Sequence, residues 1–221
     1  CREALTDLGV GAGRIAFDDL RFGHQLGMDD IEVADGYDPM MYARCVKTTA
    51  EIELLKRATS VNELAICQTI KTWAPGMMWQ EFNHEYHKAV IDLGGFFRDP
   101  GAMVWGHPCA GDSAVTLQSR LDDFAMKPGV HILFDCHGTL DLYCWDGGKT
   151  WVVDGEAVGD AKQYASATSA AATAVMEAMR PGIKISELQK LGRAVYRKSG
   201  AAGADDVLIF FHGLGLSHME L

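Results

Sequence analysis

Three residues in this 221-residue chain combine type and setting in a way that could support chemistry. Asp135 closes the apolar run Val130-His131-Ile132-Leu133-Phe134, and Asp146 follows eleven residues later. A carboxylate that ends a buried strand is costly unless it is paired or holds a cation. Two of them on adjacent antiparallel strands can face each other across the ladder, and Asp141 between them makes the strand pair acidic enough to attract a cation. His212 closes a second apolar run, Val207–Phe211, and opens His212-Gly213-Leu214-Gly215-Leu216. Alternating glycines let a backbone pass close to a neighbour while the histidine points at it. Taken singly, each has a plainer explanation: a solvated turn aspartate, or a satisfied core histidine. Taken together, two carboxylates and an imidazole are a donor set that suits Mn, Fe, Co or Zn rather than Ca. The expectation is that all three converge within a few Å, on three strands of one sheet.

The elements that must position them are legible in outline. Residues 1–46 read as the tail of an α/β unit, with a short strand at Arg14–Phe17 and turn chemistry at Gly36-Tyr37-Asp38-Pro39. Thr48-Thr49-Ala50-Glu51 is a capping box that opens a helix. Ile52, Leu55, Ala58 and Val61, with Leu54 and Leu64 beside them, give that helix an apolar stripe near period 3.6. It stops at Ala74-Pro75-Gly76, and a second helix follows to about Gly95. The phrase Pro75-Gly76-Met77-Met78-Trp79-Gln80-Glu81-Phe82 recurs as Pro181-Gly182-Ile183-Lys184-Ile185-Ser186-Glu187-Leu188, again between two helices, an Ala-rich one over 160–179 and another reaching Lys198. Two short matches can arise by chance; the alternative is an internal duplication with two pseudo-symmetric halves. Strands are expected at 102–105, 130–135, 140–143, 150–153 and 207–211. Helices followed by antiparallel strands, without strict βαβ alternation, mean an α+β class.

Composition excludes several classes. A hydrophobic share of 48% with 23% charged residues is that of a chain able to bury a core. No apolar run approaches the ~18 residues a membrane span needs. The formal net charge is −10 and no Lys/Arg cluster is present, which argues against a nucleic-acid partner. Six cysteines without CxxC spacing read as reduced intracellular thiols, so the expected location is cytoplasmic. The first residue is not Met, and the last residues follow a glycine-rich stretch directly, so the chain is expected to be a fragment lacking both ends. His84-Glu85-Tyr86-His87 is one residue short of a zincin motif and reads as a solvated helix face.

The stretch from Asp135 through Tyr143 and Asp146 to Lys149-Thr150 and Gly155 resembles the Asp-x10-Asp-x-x-Arg-Thr signature of the pita-bread metallohydrolases, the creatinase/aminopeptidase P/prolidase (M24) family. His212-Gly213-Leu214-Gly215 resembles that family's His-Gly-[Ile/Leu/Val]-Gly element. Lys47-Thr48-Thr49-Ala50-Glu51-Ile52 resembles the Lys-[Ser/Thr]-x-x-Glu-Ile that opens the catalytic domain in members with a creatinase-like N-terminal domain. The resemblance covers roughly residues 40–221. It implies a pita-bread fold, with two helix-pair-plus-strand halves around a curved antiparallel sheet. Residues 1–46 would be the end of the N-terminal domain, and 47–221 a catalytic domain truncated at its C-terminus.

By the same resemblance, Asp135 would bind one metal, Asp146 would bridge two, and His212 would bind the second. The cofactors would be two divalent ions, manganese foremost with Fe, Co or Zn as alternatives, and a hydroxide bridging them would attack the scissile carbonyl. Two glutamates that complete the family site lie beyond the His-Gly-x-Gly element; Glu220 is too close to His212 to be one of them and is left unassigned. The 221 residues alone are therefore expected to be inactive. Substrate-contacting histidines of the peptidases would correspond to His218 and His107, each off the family's usual offset. His137 and Leu142 replace glycines of the family pattern, and Lys149 replaces its Arg. The implied function is an Xaa-Pro aminopeptidase or dipeptidase, a homodimer acting on small peptides. The alternatives are a non-peptidase member of the fold, such as an ectoine-hydrolase-like C–N hydrolase or a dimethylsulfoniopropionate-lyase-like enzyme, and an inactive member kept for binding.

Overall fold

The structure is a computed structural model, and it describes residues 2–27, 29–97, 103–107, 123–209, 211–217 and 219–220, with 103–107 as backbone. The chain opens with α1 (Arg2–Asp7), β1 (Gly13–Phe17), α2 (Leu20–Gln25) and β2 (Ile31–Asp35). β1 and β2 pair in parallel, with α2 as the crossover between them. The segment at Gly36 is not an isolated turn. It is the start of α3 (Tyr37–Cys45), with Gly36 at the N-cap. Pro39 sits in the first turn, where a missing N–H costs nothing because that donor has no helical partner.

The capping box forms as the sequence predicts. Thr48 accepts from the Glu51 N–H at 3.3 Å, and the Glu51 carboxylate accepts from the Thr48 N–H at 2.7 Å. It starts α4 (Thr49–Thr72), which turns at Pro75-Gly76 into α5 (Trp79–Asp92). The second pair, α6 (Gly159–Ala178) and α7 (Ile185–Lys198), turns at Pro181-Gly182. Both turns hold their glycine at positive φ, 92° at Gly76 and 85° at Gly182, so the repeated phrase encodes one repeated backbone turn.

The main sheet lies between these pairs in the chain: β3 (Met103–His107), β4 (His131–Leu140), β5 (Tyr143–Gly147) and β6 (Thr150–Val152), all antiparallel. β4 pairs with β3 on one side and with β5 and β6 on the other. The register runs unbroken from β5 into β6, with the Phe134 N–H donating to the Lys149 carbonyl between them at 2.9 Å. Residues 140–143 are not a strand: Asp141 and Leu142 sit at φ 50° and 72° and form the two-residue turn of the β4–β5 hairpin. Val207–Ile209 and Phe211 also lie outside any strand. Their composition favours a strand, but a strand exists only against a neighbour, and no described segment pairs with them.

α4 and α5 cover one face of the sheet. Val61, Ala65 and Ile66 of α4 and Phe82, Tyr86 and Val90 of α5 bury against Ile132, Phe134, Cys136 and Trp145. The Phe82 and Phe134 rings lie 5.9 Å apart, and those of Tyr86 and Phe134 6.0 Å. Leu64 and Ile52, part of the expected apolar stripe, face outward. Tyr86 of the zincin-like tetrad is core, while His87 packs edge-on against Phe97 at 4.8 Å, so that helix face is only partly solvated.

Candidate metal centre

β4 alternates from His131 to Gly138, with Ile132, Phe134 and Cys136 buried under the helices and His131, Leu133, Asp135 and His137 turned to the other face. Asp146 stands directly opposite His137 in the β4–β5 ladder. Asp135 is two residues before His137 on the same strand, so both carboxylates share the face away from α4 and α5. They are diagonal neighbours rather than a direct pair, and such positions stand about 7–8 Å apart against about 5 Å for direct partners. Both charges reach Cys136, whose thiol is pushed up to about 12: burial is the largest cause, the Tyr86 hydrogen bond opposes it, and Asp135 and Asp146 add to it.

Two devices hold Asp146 in place from behind. Asn62 of α4 is buried, donates to the Gly147 carbonyl at 3.0 Å, and accepts from the Tyr86 hydroxyl at 2.8 Å. Next along, Gly148 lies opposite Asp135, so close to the preceding backbone that a Cβ there would stand 1.4 Å from the Phe134 oxygen. Only glycine fits. At the other end of β5, the Tyr143 hydroxyl donates to Glu51 at 3.0 Å. The Glu51 carboxyl is held below the usual range by the Thr48 N–H first, then by the Thr48 hydroxyl and Tyr143.

His212 arrives from 66 residues beyond Asp146, and its Nε2 lies 3.2 Å from Asp146 Oδ2, both side chains about a fifth to a quarter exposed. Its Nδ1 lies 2.8 Å from the Gly213 carbonyl. A carbonyl can only accept, so this contact puts the ring proton on Nδ1 and leaves the Nε2 lone pair facing the carboxylate. Lone pairs so placed are held together by a shared proton or a shared cation. The donor set therefore fits a divalent ion in kind, and the Gly213 carbonyl on Nδ1 turns the ring as a metal-binding histidine needs.

Two expectations are corrected here. His212 lies on a loop, not on a third strand. The three residues do not converge on one point: among the described residues, no three His, Cys, Asp or Glu side chains come close enough to hold one ion. The register explains this, because Asp135 faces Gly148 rather than Asp146. Asp141 is part of the hairpin turn and pairs with Arg57 at 3.2 Å, away from the site. His107 ends β3 opposite His131, four residues from Asp135 along β4, and its side chain lies outside the described residues. His218 lies outside them altogether.

Sequence reasoning missed three residues that the fold brings to this region. His137, in the sequence only a departure from a glycine, stands directly across from Asp146. Asn62 carries no local signal beyond being polar on an apolar helix face. Glu220 is a buried carboxylate, 5% exposed, gripped by Arg44 at 3.0 Å and Lys47 at 2.8 Å. Those cations are more than 170 residues away in the chain, so no spacing rule could have joined them.

Residues 53–220 match the sequence model of metallopeptidase family M24, more than two thirds of the chain. The chain belongs to that family. Among curated proteins it is 23% identical over 177 residues to an uncharacterized peptidase of Staphylococcus aureus strain MSSA476, covering 80% of this chain and 49% of the relative. The chain thus spans about half the length of the curated relatives it matches. Among solved structures, a dipeptidase from Pyrococcus horikoshii superposes with TM-score 0.78 at 22% identity, covering 100% of this chain and 61% of that one. The prolidase from Pyrococcus furiosus gives 0.77 at 19%, covering 99% and 64%. An X-Pro aminopeptidase from Thermotoga maritima gives 0.76 at 20%, covering 99% and 62%. This M24 chain has the pita-bread fold of those proteins. No helix among its described residues is long and apolar enough to cross a membrane.

Proposed function

We propose that this M24 chain carries the metal-binding part of a hydrolase that cleaves small peptides at an Xaa-Pro bond, as an aminopeptidase or dipeptidase. The observation that carries the reading is the meeting of Asp146 and His212 at 3.2 Å, from elements 66 residues apart, on the sheet face that also bears Asp135. Asp135, Asp146 and His212 would hold divalent ions, manganese being the first to test and Fe, Co or Zn the others. The chemistry supplied by ions bound there is polarisation of an amide carbonyl and acidification of a water molecule at neutral pH.

The chain's own residues have separable tasks. Asp146, which meets His212 and shares its sheet face with Asp135, supplies negative charge that gathers cations. The Gly213 carbonyl holds His212 in the tautomer that presents Nε2. The packed helices behind β4 and β5 fix the strand backbone from which both carboxylates project, so that little backbone reorganisation is left for substrate binding. His107 and His218 are carried as candidate substrate contacts, and the resemblance alone supports them. The same reading assigns residues 1–46, with their parallel β1–α2–β2 unit, to the end of a creatinase-like N-terminal domain, and 47–221 to the catalytic domain. A cytoplasmic homodimer goes with it, also on the resemblance.

The test uses the full-length protein. An Xaa-Pro dipeptide should be hydrolysed only in the presence of a divalent metal, and Asp146→Asn should lower turnover by at least about a hundredfold, the upper end of what losing even a residue that merely orients a ligand costs. His137 favours a second reading, because an imidazole beside Asp146 narrows the face where the family pattern has glycine. Turnover of a small amide osmolyte with no Xaa-Pro cleavage would move the assignment to the non-peptidase branch.

A further inference from the structure

The loop that delivers His212 has almost no core of its own. Gly213 and Glu220 bridge it closed, the Gly213 N–H donating to the Glu220 carbonyl at 2.8 Å and the Glu220 N–H returning to the Gly213 carbonyl at 2.9 Å. Within that closure the Ser217 N–H donates to Glu220 Oε1 at 3.2 Å, and the Gly215 N–H donates to the Ser217 carbonyl at 3.1 Å. The Gly215 carbonyl accepts from the Cys144 N–H of β5 at 2.7 Å, tying the loop to the strand that bears Asp146. Glu220 itself is anchored elsewhere. Its side chain is 1% exposed, with Oε1 on Arg44 of α3 and Oε2 on Lys47, which immediately precedes the α4 capping box. A Cβ on Gly215 would stand 2.5 Å from Glu220 Oε2, so the carboxylate occupies the space a side chain would need.

A buried carboxylate that meets two cations and a backbone N–H has nearly all its lone pairs used. Removing it would leave the partly buried cations of Arg44 and Lys47 without their carboxylate, Arg44 keeping only Met41 Sδ and Ser217 Oγ, which is what makes such contacts hard to break. Besides the Cys144–Gly215 backbone bond to β5 and the Arg44 contact with Ser217 Oγ at 3.5 Å, the loop is held by the Glu220 side chain on the junction of α3 and α4, and the Glu220 backbone carries that hold to Gly213, the residue following His212.

We propose that Glu220, gripped by Lys47 and Arg44, is the positioning residue that holds the His212 loop against Asp146. This rests on the reading of Asp146 and His212 as ligands. It also gives the Lys47–Glu51 segment a physical role at the site: Lys47 holds the imidazole's loop, while Glu51 holds Tyr143 and with it the start of β5.

The test compares Glu220→Gln, Lys47→Gln and, as a control, Arg57→Gln at the exposed Arg57–Asp141 pair, all in the full-length protein. Cobalt(II) is the probe, titrated by calorimetry and by its visible absorption, and amide exchange at Gly213, Ser217 and Glu220 is followed without metal. Glu220→Gln should weaken cobalt affinity about 10–100-fold, the range for partners that orient a ligand. It should also speed exchange at the three amides by about tenfold or more, while core amides of β4 keep their protection. Turnover should recover to within about threefold at saturating cobalt, a rescue that general destabilisation would not give. Lys47→Gln, which leaves Arg44 in place, should do the same more weakly and keeps the test open if Glu220→Gln does not fold. Unchanged cobalt affinity and unchanged exchange in both variants would overturn the proposal, as would an equal effect from Arg57→Gln. If the unaltered protein binds no cobalt, the metal reading fails on its own, and the exchange arm then decides: faster loop exchange upholds the positioning role, and unchanged exchange removes it.

Discussion

The two halves of the molecule carry the same helix–turn–helix phrase but hold their parts of the site by different means. Around Pro75-Gly76, α4 and α5 press Phe82, Tyr86 and Val90 onto Phe134, Cys136 and Trp145, and the strands beneath display Asp135 and Asp146. Around Pro181-Gly182, α6 and α7 share a smaller cluster of Ala167, Ala171, Tyr196 and Ala201, and Val207–Ile209 pairs with no described strand. His212 follows that second half and is fixed by a polar anchor instead. The difference separates what local sequence can specify from what needs a partner. An amphipathic helix and its glycine turn form from near neighbours, whereas a strand and a buried ion pair depend on segments far away in the chain.

The largest expected effect lies in the first half. Phe134→Ala empties the centre of the aromatic cluster and should cost about 3–5 kcal/mol of folding stability, read by denaturant unfolding. If the loss were under about 1 kcal/mol, the carboxylates would not be resting on that core. Asn62→Ala tests the link from core to site. It strands the Tyr86 hydroxyl and the Gly147 carbonyl, at about 1–3 kcal/mol, and should weaken divalent-metal affinity through Asp146. A stability loss with metal affinity unchanged would confine Asn62 to packing.

The smallest effect on stability is expected at the polar anchor, and it fades in acid. Burial raises the Glu220 carboxyl, but the Lys47 hydrogen bond, the Ser217 N–H and the charges of Lys47 and Arg44 outweigh it, so its folded pKa lies below the usual carboxylate value. Tyr143, whose own proton is held more tightly mainly by burial and then by Glu51, also feels the Glu220 charge. A depressed folded pKa means that Glu220 stabilises the fold above the ordinary Glu value, about 4.3. The contribution fades as pH falls below that value and is gone once pH passes the folded pKa. The difference in thermal midpoint between the unaltered protein and Glu220→Gln should be constant above about pH 5 and shrink below pH 4. A difference that grows as pH falls would reverse the sign and remove the ion pair as its cause.

Much of the first half was legible because its signals are local: a capping box, a 3.6-residue stripe, and a repeated Pro-Gly phrase with its positive-φ glycine. The shared face of Asp135 and Asp146 followed from the hydrophobic run before one and the hairpin between them. The strand expected at 140–143 failed because Leu140 and Tyr143 flank a turn whose central residues, Asp141 and Leu142, are not the usual glycine or asparagine. Val207–Ile209 and Phe211 of the strand expected at 207–211 form none, because no described segment pairs with them. Placing His212 beside Asp146 needed the family resemblance, and the reach of Lys47 and Arg44 to Glu220 could not be read from spacing at all.

The central claim is that Asp146 and His212 come together to hold a cation. The most direct measurement is anomalous diffraction from crystals of the full-length protein grown with manganese and measured at its absorption edge. A manganese peak should lie within bonding distance of Asp146 Oδ2 and His212 Nε2 and be lost in Asp146→Asn. An empty site at saturating manganese, with the two side chains still in hydrogen-bond contact, would show that they share only a proton and would contradict it.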